Sequence, residues 1–217
     1  MQKFGLQLVS APESEPGSLE EAKTHLRVDF PDDDGYILAL ISAAREVVEG
    51  KLRRAVFQQT YELSLDQFPY PTGTLTRSPE QRENYLFPSV YFADYAIDLP
   101  RSKVTSVDSI IFQGISGETV TLTEDQYTID LNSEPARIVP ADGGTWPYIN
   151  SYSPGSITIT FKAGLWDDNS VPASIKHAIL LLVGHWYANR EAVTENKLTT
   201  LPLAVDALLE RWKYYGP

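Results

Sequence analysis

The strongest constraint on this chain is a change of period near residue 56, from helical spacing to strand alternation. Ser18 to Arg54 reads SLEEAKTHLRVDFPDDDGYILALISAAREVVEGKLRR, two amphipathic helices in tandem. Ser18 followed three residues later by Glu21 is a capping box: hydroxyl and carboxylate each satisfy a helix-end amide. Pro16-Gly17 supplies the preceding turn. Pro31 breaks the pattern, and Asp32, Asp33 and Asp34 are expected to place acceptors and negative charge at the positive end of a second helix. In that helix Ile37, Leu40, Ile41, Ala44, Val48 and Leu52 repeat at three-and-four spacing, which predicts one buried face.

Beyond Arg54 the apolar residues Phe57, Tyr61, Leu63 and Leu65 interleave with Gln58, Thr60, Glu62 and Ser64, the pattern of a half-buried strand. Further strands are predicted at Tyr95–Leu99, Val107–Gln113, Thr119–Leu122, Tyr127–Leu131, Arg137–Val139 and Ser156–Lys162, with turn signals at Ser116-Gly117 and Gly143-Gly144. Between Phe68 and Ala93, prolines and aromatics without period predict a long loop, either folded back on the sheet as a lid or offered to a partner. Helix returns after Pro172, with Ile175, Ala178, Ile179, Leu182, Val183 and Trp186 on one face. A last helix follows Thr199–Pro202 with Val205, Leu208, Leu209 and Trp212 aligned.

These elements predict an α+β protein: a discontinuous helical bundle from both ends of the chain, with a central antiparallel β insertion as a sheet or small barrel. The expected divisions are a helical part over 1–56, a β-rich insertion over 57–170 containing the loop 68–93, and a C-terminal helical part over 171–217. At 217 residues, 42% hydrophobic and 22% charged, the chain has the composition of a folded soluble protein. No apolar run approaches the ~20 residues of a membrane span. The first twelve residues lack the pattern of a secretory leader, so a cytoplasmic origin is expected. Without cysteine there are no disulfides, thiol nucleophiles or thiolate metal sites. A net charge of −11 opposes generic binding to nucleic acid, which depends on Lys and Arg replacing counterions; it equally serves plain solubility.

The search for chemistry returns little. His177 and His185 are eight residues apart on one helix, too far to share a metal as an i, i+4 pair does, and His25 stands on the first helix. Asp32–Asp34 before Gly35 lack the alternating spacing and later Glu of a calcium loop. There is no GxSxG elbow, no P-loop and no GxGxxG run. Neither a catalytic group, a metal nor a cofactor is expected. The competing reading is a small hydrolytic or ligand-binding domain, with His185, Asp167 and Asp168 as candidates between the β region and the helices. The basic clusters Lys51, Arg53, Arg54 and Arg211, Lys213 are either solvated helix ends or charge partners for neighbouring subunits.

The order of short patterns resembles the head-to-tail connector, or adaptor, proteins of tailed bacteriophages and gene transfer particles. The pieces are Leu19-Glu20-Glu21-Ala22-Lys23, Leu26-Arg27-Val28, the acidic break, Ile41-Ser42-Ala43-Ala44-Arg45 with Val48-Glu49, and the strand from Phe57. Asp98-Leu99-Pro100, Val104, Val107, Tyr127, Ile157–Phe161 with Ala163-Gly164, Val171-Pro172, His185–Glu191 and Leu201-Pro202 with Leu208-Leu209 follow in order. The loop over 68–93 is longer than this family's usual connection. The resemblance implies a non-enzymatic virion protein at the neck, made in the host cytoplasm. It implies a homo-oligomeric, dodecameric ring beneath the portal protein that extends the DNA channel, without sequence-specific DNA contact, and docks the next neck, stopper or tail protein. It also implies portal docking by the C-terminal segment, here Arg211, Trp212, Lys213, Tyr214 and Tyr215. Arg45, Glu49, Arg53 and Arg54, on the charged side of the second helix, are the expected inter-subunit residues.

Overall fold

The computed structural model describes residues 4–69, 95–101, 103–141, 144–149, 153–166, 170–190 and 203–215. The chain divides into two compact units, one of residues 1–10 with 60–163 and one of residues 11–59 with 164–217.

The second unit is helical and discontinuous in sequence. Its first helix, α1 (Leu19–Leu26), begins as the capping box requires: the Ser18 N–H donates to Glu21 Oε2 at 2.9 Å and the Glu21 N–H to Ser18 Oγ at 3.1 Å. It ends at Arg27 in the left-handed region (φ 59°), whose N–H reaches the last-turn carbonyls. The next helix, α2 (Asp34–Leu52), buries Ile37, Leu40, Ile41, Ala44, Val48 and Leu52, the face its spacing predicts. Against it packs α3 (Ala173–Ala188), which buries Ile175, Ala178, Ile179, Leu182 and Val183. A short α4 (Leu203–Leu209), continued by one 3₁₀ turn to Trp212, adds Val205 and Leu209 to the same core. Side chains such as Ile41 and Leu182, wholly withdrawn from water, each contribute about 1.5–3 kcal/mol of apolar burial. No described helix is long and apolar enough to cross a membrane.

The first unit carries the strands, in two sheets. The larger runs in the order β1-β2-β8-β4-β5, formed by β1 (Phe4–Ser10), β2 (Gln59–Leu65), β4 (Val104–Gln113), β5 (Thr119–Thr121) and β8 (Ile157–Ala163). The smaller has the order β3-β7-β6, from β3 (Ile97–Leu99), β6 (Tyr127–Asp130) and β7 (Ala136–Pro140). β1 is antiparallel to β2, and β4 to both β8 and β5; β7 is antiparallel to β3 and to β6. In β2 and β8 burial alternates strictly, so Tyr61, Leu63 and Leu65 and Ile157, Ile159 and Phe161 point inward. Tyr61 stacks on Phe161 at 5.7 Å between ring centres. Phe68 lies flat on Trp146 at 4.8 Å, and the indole N–H donates to the Tyr95 carbonyl at 2.7 Å.

Two features differ from the sequence expectation. Residues 4–10 form a strand of the β unit, although the sequence reading assigns 1–56 to the helical part. Its pattern FGLQLVS shows no buried face to read, because Gly5, Gln7, Leu8 and Val9 are all exposed. Asp33, the residue capping α2, makes no side-chain bond to the helix amides; its carboxylate is used by Tyr187 and Arg190 instead. Most of the aromatic loop at 68–93 lies outside the described residues, apart from Phe68 and Pro69.

Candidate functional site

The residues expected to meet neighbouring subunits are not alike in their surroundings. Arg45 and Glu49, one turn apart on α2, are 3% and 5% exposed. The Arg45 Nη1 donates to Glu49 Oε2 at 2.8 Å, and its Nε to Glu15 Oε2 at 2.8 Å. Glu49 also accepts from the Val56 N–H at 2.8 Å and from the Gln59 amide at 2.5 Å. Burial raises the Glu49 carboxyl above its ordinary range, against the opposing pull of the Val56 N–H, Arg45 and Gln59. Arg45 keeps its charge: burial lowers its pKa, but Glu49 and Glu15 more than offset this and hold it above the usual value. These two side chains are consumed inside the helical unit, fastening α2 to the chain segments before and after it, and they present no charge to a neighbour. The i, i+4 spacing of Arg45 and Glu49 is readable in the sequence; Glu15 and Gln59, outside any helix, give no sign there of joining them.

Arg53 and Arg54 differ. Arg53 is exposed and closes α2 in the left-handed region (φ 56°). Arg54 is half-buried, its guanidinium over the Tyr214 ring at 5.5 Å.

The C-terminal segment divides in the same way. The Trp212 indole N–H donates to Ser174 Oγ at 3.1 Å, and its ring meets Trp166 edge-to-face at 5.3 Å. The Tyr214 N–H donates to the Leu52 carbonyl at 2.9 Å. Both aromatics are therefore held by the helical unit and are not free anchors. Arg211, Lys213 and Tyr215 face solvent, with Tyr215 at 67% exposure. The Lys213 ammonium lies over the Tyr215 ring at 5.5 Å, and the Tyr215 hydroxyl donates to Glu210, which raises the phenol's pKa.

A second cluster has no counterpart in the sequence reading. Asp33 accepts from the Tyr187 hydroxyl and, at 2.5 Å, from Arg190 Nη2, while the Arg190 guanidinium sits 4.8 Å from the Tyr36 ring centre and 4.7 Å from that of Tyr187. The Tyr187 hydroxyl, then Arg190, lower the Asp33 carboxyl below its ordinary range. This clamp fastens the end of α3 to the start of α2.

His25 and His177 meet edge-to-face at 6.2 Å, and both are exposed. His185 is half-buried on α3, whereas Asp167 and Asp168, its proposed companions, lie outside the described residues. Among the described residues no group of three or more His, Cys, Asp or Glu is placed to hold a metal.

Residues 17–81, which hold the capped helix pair, match the phage gp6-like head-tail connector protein family. No curated protein matches the chain. Among solved structures, the neck of an empty gene transfer agent (GTA) particle computed with C6 symmetry superposes with a TM-score of 0.70 at 20% identity, covering 98% of this chain and 97% of that chain. A chain from the virion of a native GTA particle superposes at 0.69 with 21% identity, covering 98% and 96%. The neck of a native GTA particle computed with C12 symmetry superposes at 0.68 with 20% identity, covering 98% and 97%. The fold is thus shared from end to end with these neck and virion chains.

Proposed function

We propose that this protein is a structural head-to-tail adaptor of a phage-like particle. Copies form a ring in the neck, beneath the portal, which extends the DNA channel and offers a platform to the next neck or tail component. The observation that carries this reading is the coincidence of two matches: the connector family pattern falls on the α1–α2 pair, and the whole chain follows the fold of GTA neck chains. The ring is dodecameric in this reading, by analogy with the neck computed with C12 symmetry. The protein catalyses no reaction and takes no cofactor.

Within the reading, the exposed basic residues have defined work. Arg53, with Arg54 behind it, lies at the end of α2 where an acidic neighbour can pair with it. Arg211, Lys213 and Tyr215 are the outward side of the segment proposed to dock on the portal, while Trp212 and Tyr214 hold that segment to the helical unit. A net charge of −11 suits a lumen through which DNA slides, because few cations are available to replace its counterions.

The test is genetic. Particles made without this chain are expected to accumulate as filled heads and separate tails, with joining restored when the gene is supplied in trans. Normally joined particles in its absence would refute the adaptor role.

A further inference from the structure

The five-stranded sheet has two open ends among the described residues. β1 is paired only with β2, and β5 only with β4. An edge strand shows every second N–H and C=O to solvent, and soluble proteins ordinarily guard such an edge with charge or proline. β1, with the sequence FGLQLVS, has neither, and its one guard is a bulge at Val9 that leaves Phe4 to Leu8 regular. It also exposes apolar side chains, Leu8 at 43% and Val9 at 56%. β5, with the sequence TVT, is likewise uncharged, and the turn leading into it exposes Ile115 at 71%.

From these edges, and resting on the ring reading above, we infer that β1 of one copy pairs with β5 of the next, so that the sheets join into a continuous belt around the ring. Three observations select this occupant. The edges differ, and a contact between two different patches of identical chains is the head-to-tail kind that closes rings, whereas β1 against β1 gives only a two-fold dimer. The shorter edge fits within the longer. A bulge places Val9 as an extra residue between the pairs Leu8 with Tyr61 and Ser10 with Thr60, which leaves Phe4 to Leu8 as a regular edge of five residues, enough to accept the three residues of β5. Charge is compatible: copies that each carry −11 repel, and neither strand puts a charged residue into the shared ladder, the nearest carboxylate being Glu118 just before β5.

The test uses the full chain in assembled particles, and the absence of native cysteine makes engineered pairs free of background. Gln7→Cys or Leu8→Cys, each combined with Thr119→Cys or Thr121→Cys, samples both parities of the register. Mild oxidation is expected to give a ladder of covalent multimers in at least one combination and no product from any single variant. Val9→Lys, at a position already exposed, is expected to leave the melting temperature of the isolated protein unchanged and to reduce incorporation into particles at least about tenfold. Covalent dimers from Leu8→Cys alone would overturn the inference by showing a two-fold contact. A ring present without a ladder in any combination would overturn the edge pairing and leave the adaptor reading standing. Absence of the chain from the neck would remove both.

Discussion

Replacing Glu49 with alanine leaves a buried guanidinium short of one of its two carboxylate partners at 2.8 Å, and the cost follows from the hydrogen bonds that the carboxylate accepts. The Arg45 side chain is 4% exposed and that of Glu49 7%, so water does not readily replace the carboxylate. Three donors are left without this acceptor: Arg45 Nη1, the Val56 N–H and the Gln59 amide. Removing one partner of a buried pair costs about 3–5 kcal/mol. Glu15, still 2.8 Å from Arg45 Nε, keeps the loss within that range despite two further orphaned donors. For a chain of this size each kcal/mol lowers the melting temperature by about 2–4 °C, so a fall of about 6–20 °C is expected. Urea titration followed by tryptophan fluorescence is the suitable assay, since Trp166, Trp186 and Trp212 all pack on the helical core. The double variant Arg45→Met with Glu49→Met removes both charges and should lose less than Glu49→Ala alone, because no buried ion is left unpaired. A loss under about 1 kcal/mol for Glu49→Ala would refute the buried-network account. So would a double variant as unstable as the two single losses added together.

Other consequences are open to simpler measurements. Gly164→Ala should destabilise the helical unit by about 1–3 kcal/mol, because a Cβ there collides with the Phe57–Gln58 backbone and the segment is fixed by Leu165 and Trp166 N–H bonds to the Ala55 and Val56 carbonyls; an unchanged melting temperature would contradict the packing. Arg53→Gly should raise monomer stability by about 1 kcal/mol by relieving the left-handed conformation at φ 56°. If Arg53 meets a neighbouring copy, ring assembly falls in that same variant; unimpaired assembly would remove it from the interface. The Asp33 carboxyl is depressed by Tyr187 and Arg190 in the folded state. The stability it contributes is therefore complete above its unfolded pKa of about 3.9 and is lost as pH falls through the lower folded value. Asp33→Asn should flatten the acid limb of the stability curve, and parallel limbs for the two proteins would argue against the clamp. Removing Tyr215–Pro217 should spare folding and abolish portal attachment, whereas Trp212→Ala should lower the melting temperature by removing the ring that packs on Trp166 and bonds Ser174. Portal attachment by the chain ending at Tyr214 would remove Tyr215 from the docking surface, and attachment that also survives Arg211→Ala with Lys213→Ala would refute the docking assignment.

What the sequence reveals and what it hides follow from the range of the forces involved. The capping box at Ser18 and the apolar face of α2 depend on residues three or four apart, and both form as read. The alternation of β2 and β8 is equally local. β1 is not legible, because its partner strand begins at Gln59 and because exposure on both faces removes any alternation to detect. The charged side of α2 illustrates a different limit. Arg45, Glu49 and Arg53 look equivalent on a helical projection, but Glu15 and Gln59, remote in sequence, cover the first two and leave Arg53 in solvent. In the same way the aromatic tail has the sequence of a set of free anchors, yet Ser174 and Leu52 hold Trp212 and Tyr214.

The most direct measurement is cryo-electron microscopy of the assembled particle, with the chain traced into the density of the neck. A closed ring of this chain around the DNA channel, against the portal on one side and the next neck component on the other, is the expected result. Density for the chain outside the neck, or as isolated copies without ring neighbours, would contradict it.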